Sequence, residues 1–138
     1  MLLSLLLACS PASSSTAPVT ASMSTAAPAP PQGARHDADL ATFRAARDRG
    51  AVGMLLDVRT PEEFATGHVP GAVNVPIDAL ASRMDSLAGE AGKELYVICA
   101  VGGRSSVAAD QLAAAGFSAT NVLGGTDGWV ASGGAVER

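Results

Sequence analysis

The sequence predicts an α/β domain built on a small, largely parallel sheet flanked by helices. Two observations carry that expectation. From residue 36 onward, short apolar strand-like runs alternate with segments of helical spacing. The helical segments also bring their own start and stop signals.

The segment "DADLATFRAARDRG" opens with acids suited to a helix N-terminus, places Leu40, Phe43 and Ala46 or Arg47 at helical spacing, and stops at Gly50. "VGMLLDV" follows as a short buried strand. "TPEEFATG" is a complete small helix: Thr60 is the N-cap, Pro61 sits at the first helical position, Glu63 closes a capping box and Gly67 lies past the end. "GAVNVP" reads as another short strand, and "IDALASRMDSLAG" as a helix with Leu80, Met84 and Leu87 on one face. "ELYVIC" is the strongest strand signal, β-branched and aromatic, and it ends at Cys99. "SSVAADQLAAAGF" is the next helix, with Ala108, Leu112 and Ala115 on one side and Gly116 as its stop. "ATNVL" makes a last strand, and "GGTDGWVASGG" a turn and a terminal helix carrying Trp129.

The 138 residues have room for one domain. A net charge of −4, with Lys93 the single lysine, provides no basic stripe to neutralise a row of phosphates, so nucleic acid is excluded as an expected partner. Charge is unevenly spread: no Asp, Glu, Lys or Arg precedes Arg35. The division expected is a leader over 1–8, a Pro/Ser/Thr/Ala-rich tether over 9–35 and a folded domain over 36–138. Leu2 to Ala8 is too short to span a bilayer and sits directly before Cys9. "LLAC", Leu6 to Cys9, resembles the lipobox of bacterial lipoproteins. That resemblance implies cleavage before Cys9, lipidation of its sulfur, and a membrane-anchored domain facing the periplasm or cell exterior. A coiled tether of roughly 26 residues would hold the domain about 30 Å from the anchor.

With Cys9 so used, Cys99 has no expected partner in the chain. A free cysteine can be a small core residue, but this one ends a strand ahead of a helix, where free N–H groups point outward and favour an anion. The helix start and the guanidinium of Arg104 should both favour thiolate over thiol. Gly102 and Gly103 permit positive φ, so successive amides can curl around an anion, and Ser105 can cap the helix and offer a further donor. Asp57 and Arg59 are read as structural, Arg59 pairing with Glu62 or Glu63. His68 is read as a hydrogen-bonded structural residue, His36 as a domain-edge residue and Trp129 as a packing anchor.

"VICAVGGRSSVAADQLAAAGF" resembles the active-site segment of rhodanese-like domains, "LLDVRTPEEFATGHVPGAVNVP" the signature near their amino end, and "NVLGGTDGW" their closing motif. The resemblance implies a three-layer α/β fold and a sulfurtransferase that needs no metal or organic cofactor. In it Cys99 would be nucleophile and persulfide carrier, taking sulfane sulfur from a small anionic donor such as thiosulfate and passing it to a thiol or cyanide. The backbone of Ala100, Val101, Gly102, Gly103, Arg104 and Ser105 would hold the anionic sulfur, and the Arg104 side chain would steer the donor. Phosphatases and arsenate reductases of this fold place five residues between cysteine and arginine, whereas here there are four, Ala100 to Gly103, which prefers sulfur. Two other readings stand beside it: a non-catalytic module whose loop recognises an anion or a partner, and a thiol-redox sensor.

Overall fold

The computed structural model describes residues 33–138. The predicted leader, Cys9 and the tether as far as residue 32 lie outside the described residues. The elements run β1 (Arg35–Ala38), α1 (Leu40–Asp48), β2 (Met54–Asp57), α2 (Pro61–Thr66), β3 (Val73–Asn74), α3 (Ile77–Leu87), β4 (Glu94–Ile98), α4 (Gly103–Ala114), β5 (Ser118–Val122) and α5 (Gly125–Ala131). A short 3₁₀ turn over Ala88–Glu90 extends α3. The expected alternation of strand and helix is present, and the sheet is parallel throughout, in the order β1-β5-β4-β2-β3.

Local chemistry explains most boundaries. At α2, Thr60 Oγ1 accepts the Glu63 N–H while Glu63 Oε2 accepts the Thr60 N–H, so two otherwise unsatisfied donors are met reciprocally. The opening segment departs from expectation: α1 begins only at Leu40, with Asp39 as N-cap, and the residues before it form β1 on the sheet edge. Arg35, assigned above to the tether, pairs with Ala119, and Ala34 O already accepts the Ala119 N–H. The sequence RHDA carries no strand propensity; its conformation comes from the unpaired edge that β5 offers.

The core divides at the sheet. Leu95, Val97 and Cys99 join the cluster with Leu80, Leu87, Ala108 and Leu112 from α3 and α4. Tyr96 and Ile98 join the other, with Phe43, Ala46 and Trp129 from α1 and α5. Strand β4 is therefore buried on both faces, alternating residue by residue, as a central parallel strand must be. Trp129 anchors the second cluster: it lies edge-on to Phe43 at 5.6 Å, donates from Nε1 to Ala135 O at 2.7 Å, and carries the Arg44 guanidinium 4.2 Å above its ring. Neighbours β2 and β4 send their following chains apart, to β3 and β5, which leaves a crevice at their carboxyl ends.

Candidate active site

Cys99 emerges from β4 into that crevice. The carbonyls at the strand end are fixed from behind: Thr126 N–H donates to Cys99 O at 2.8 Å and Asp127 N–H to Ala100 O at 3.0 Å. With Cys99 O and Ala100 O held by the first turn of α5, the loop brings the amides of Val101, Gly102 and Ser105 to the sulfur. Gly102, at φ +109°, takes the left-handed conformation that makes this turn and serves as the N-cap of α4. Its N–H donates to Cys99 Sγ at 3.0 Å. Ser105 Oγ lies 3.4 Å from the same sulfur.

The Cys99 side chain is 1 % exposed, so its polar surroundings decide its charge. Burial opposes ionisation most strongly, but the Ser105 hydroxyl and the amides of Ser105, Gly102 and Val101 together outweigh it. They hold the thiol below its ordinary range. The sulfur thus sits at the floor of a short amide cradle above the apolar core. Val101, at 68 % exposure, forms the outer lip.

Two expectations about the loop change. Only Gly102 of the glycine pair has positive φ; Gly103 is the first residue of α4, and a Cβ there would meet nothing within 4 Å. Nor does Ser105 cap the helix. It lies one turn inside and buried, its Oγ 2.6 Å from Asn121 Oδ1 on β5. Gly102 holds the cap because only a residue free to adopt positive φ can reverse the chain between β4 and α4.

Arg104 is held in the crevice by Glu63. Its two terminal nitrogens donate to the two carboxylate oxygens at 2.7 Å each, a bidentate pair joining α4 to α2. Arg104 and Thr60 draw the Glu63 carboxyl down to about 2. The negative charges of Cys99 and Asp57 add to the field that holds Arg104 protonated. Of the two supports for the thiolate expected from sequence, the helix start and Arg104, the loop amides and the Ser105 hydroxyl act on the sulfur directly, while the guanidinium is bound to Glu63.

Arg59 does not pair with Glu62 or Glu63. It donates to Asp57, with Nη2 to Oδ2 at 2.7 Å, and to Gly67 O at 2.9 Å. Both residues are buried, so each charge takes the neighbour that moves with it. His68 is a structural residue, stacked on Phe64 at 3.6 Å with Nδ1 3.0 Å from Phe64 O, and His36 lies exposed on the edge strand β1. Among the described residues no cluster of three His, Cys, Asp or Glu side chains is placed to hold a metal ion.

Sequence reasoning missed the role of Glu63 at the site, the partner Asn121, and Gly125 beneath the loop. The last two had signals: a polar residue inside the apolar run ATNVL, and a glycine doublet directly after it.

Glu63→Gln separates the two jobs of Glu63, since glutamine retains the capping box while losing the charge facing Arg104. The pair is part-exposed, so the expected loss at neutral pH is about 1 kcal/mol. Because the folded carboxyl titrates at about 2 rather than the ordinary 4.5, this contribution is complete above pH 4.5 and fades as pH falls toward 2. Denaturant midpoints of the two proteins should therefore differ at neutral pH and converge across that acid window.

The chain matches the family model described as Rhodanese-like domain over residues 39–132. It is 39% identical over 89 residues to "Thiosulfate sulfurtransferase 16, chloroplastic" of Arabidopsis thaliana, covering 56% of this chain and 74% of that protein. It is 36% identical over 76 residues to "Adenylyltransferase and sulfurtransferase uba4" of Ogataea parapolymorpha, which covers 54% of this chain but spans only 19% of that protein. Among solved structures, a rhodanese-related protein from Thermoplasma volcanium superposes with a TM-score of 0.67 at 31% identity, covering 74% of this chain and 97% of the other.

Proposed function

The chain belongs to the rhodanese-like domain family, and from that premise we propose that it is a sulfurtransferase working through a Cys99 persulfide. The observation that carries this reading is the Gly102 N–H aimed at Cys99 Sγ from 3.0 Å, with the amides of Val101 and Ser105 adding to the support of the same atom. A thiolate held there attacks the outer sulfur of thiosulfate. A new S–S bond forms, the S–S bond of thiosulfate breaks, and sulfite leaves with the electron pair. The negative charge passes to the outer sulfur of the persulfide, where the loop amides of Ala100 to Ser105 stabilise it without reorganising. A cyanide or thiolate acceptor then attacks that outer sulfur and restores the Cys99 thiolate. Arg104 draws the anionic donor to the crevice while Glu63 fixes its orientation. The four-residue spacing between Cys99 and Arg104 favours a single sulfur over a tetrahedral oxyanion.

Incubating the reduced protein with thiosulfate and weighing it intact should show the gain of one sulfur atom, released by cyanide as thiocyanate. No gain with Cys99 reduced would overturn the reading. We further propose that Cys9 is lipidated and anchors the domain on the cell envelope, facing the periplasm or exterior. The mass of protein taken from its own membrane tests this, an unacylated Cys9 being the contrary result.

A further inference from the structure

The Ser105 hydroxyl has one proton and three acceptors: Asn121 Oδ1 at 2.6 Å, Gly102 O at 3.2 Å and Cys99 Sγ at 3.4 Å. Which one it serves is decided two strands away. Asn121 Nδ2 donates to Asp37 Oδ1 at 3.0 Å, and an ionised carboxylate can only accept, so the amide must turn its nitrogen to β1 and its oxygen to Ser105. Asp37 is kept ionised by Arg35 first and by Asn121 next. Arg35 Nη1 donates to Asp37 at 2.6 Å, and Arg35 also donates to Ser106 Oγ at 2.8 Å. Asn121 and Ser105 are both buried, at 2 % and 0 % exposure, so no solvent relieves the competition.

With its proton on Asn121, Ser105 presents a lone pair to sulfur, which suits an S–H donor. A thiolate instead requires that proton, and giving it up leaves Asn121 Oδ1 buried without a donor. We propose that Asn121, oriented by Asp37, is a positioning residue that competes with the Cys99 thiolate for the Ser105 proton. It thereby sets how readily the nucleophile ionises. The inference rests on the transfer reading for its purpose, but not for its measurement. Other charged groups around Cys99 are Arg104 with Glu63 on α2, Asp57 with Arg59 at the end of β2, and Asp127 on α5, and these stay constant in the variants below.

The test is the pH midpoint of Cys99 ionisation in the full chain, read from thiolate absorbance and alkylation rate without any sulfur donor. Asn121→Leu should lower the midpoint by about half a pH unit or more, roughly one hydrogen bond's worth. Ser105→Ala should raise it, and in the Ser105→Ala background Asn121→Leu should have no further effect. Asp37→Ala, at an exposed edge position, removes the acceptor that orients the Asn121 amide and should lower the midpoint even in high salt, where a through-space charge effect is screened. An unchanged or raised midpoint in Asn121→Leu would overturn the proposal, as would an equal drop with Ser105 absent. Should Asn121→Leu fail to fold, Asp37→Ala decides: a salt-insensitive drop supports the competition, and no drop or a screened one refutes it. A chain with these shifts that takes up no sulfur would refute transfer and leave the proton competition standing.

Discussion

Serine in place of Cys99 will leave the chain folded and unable to take up sulfur. The substitution conserves shape closely, and its oxygen can accept the Gly102 N–H that Sγ accepts now, so the expected cost in stability is about 1 kcal/mol. The chemistry does not survive. A serine hydroxyl does not ionise near neutral pH, the cradle has no base positioned to activate it, and loss of a nucleophile lowers turnover by on the order of 10⁴-fold or more. Three results together define the expectation: an unchanged fold by circular dichroism, no mass gain with thiosulfate, and no thiocyanate on adding cyanide. Donor affinity separates the readings further. A module that only binds an anion would retain its affinity and show no turnover in either protein. A redox sensor would carry sulfenic acid in cells, with no persulfide. Labile sulfur on the serine variant would remove Cys99 from the mechanism altogether.

The parts of this fold legible in the sequence are those whose causes are local. The strand ending at Cys99 announces itself through ELYVIC, because a strand buried on both faces needs uninterrupted apolar residues. The cap of α2 is legible because Thr60 and Glu63 satisfy each other across three residues. Strand β1 is not, since RHDA is extended only through its pairing with β5, more than eighty residues later in the chain. Separation in sequence also hides the wiring of the site. Glu63 looks complete as a capping residue, and nothing nearby in sequence says that its carboxylate also receives Arg104, 41 residues on. The sequence suggests a partner for Arg59 on the following helix; the buried strand end favours Asp57, two residues back, because both side chains leave water together. Local patterning thus placed Cys99 at the strand end ahead of a helix, and the contacts that surround its sulfur are set by topology.

Alanine at Gly125 should be severely destabilising and should disturb the site as well as the fold. A Cβ there would lie 2.4 Å from Ala100 O and 2.5 Å from Cys99 O, both backbone atoms that cannot swing away. The residue also has φ +60°, which costs an alanine about 1–2 kcal/mol before any clash. To relieve the overlap the turn after β5 must move off the end of β4, and the bonds from Thr126 and Asp127 to those same carbonyls go with it. Each leaves a poorly solvated carbonyl unsatisfied at about 1–3 kcal/mol, so the expected loss is roughly 3–5 kcal/mol. In a domain of this size that corresponds to a fall in Tm of about 15 °C or more. Gly103→Ala is the control: its Cβ meets nothing within 4 Å and its backbone is already helical, so its Tm should hold or rise slightly. Because the carbonyls held by the turn keep the loop amides facing sulfur, whatever Gly125→Ala protein still folds should also show a raised ionisation midpoint at Cys99. A Gly125→Ala protein with the wild-type Tm and midpoint would mean that the turn does not support the cradle.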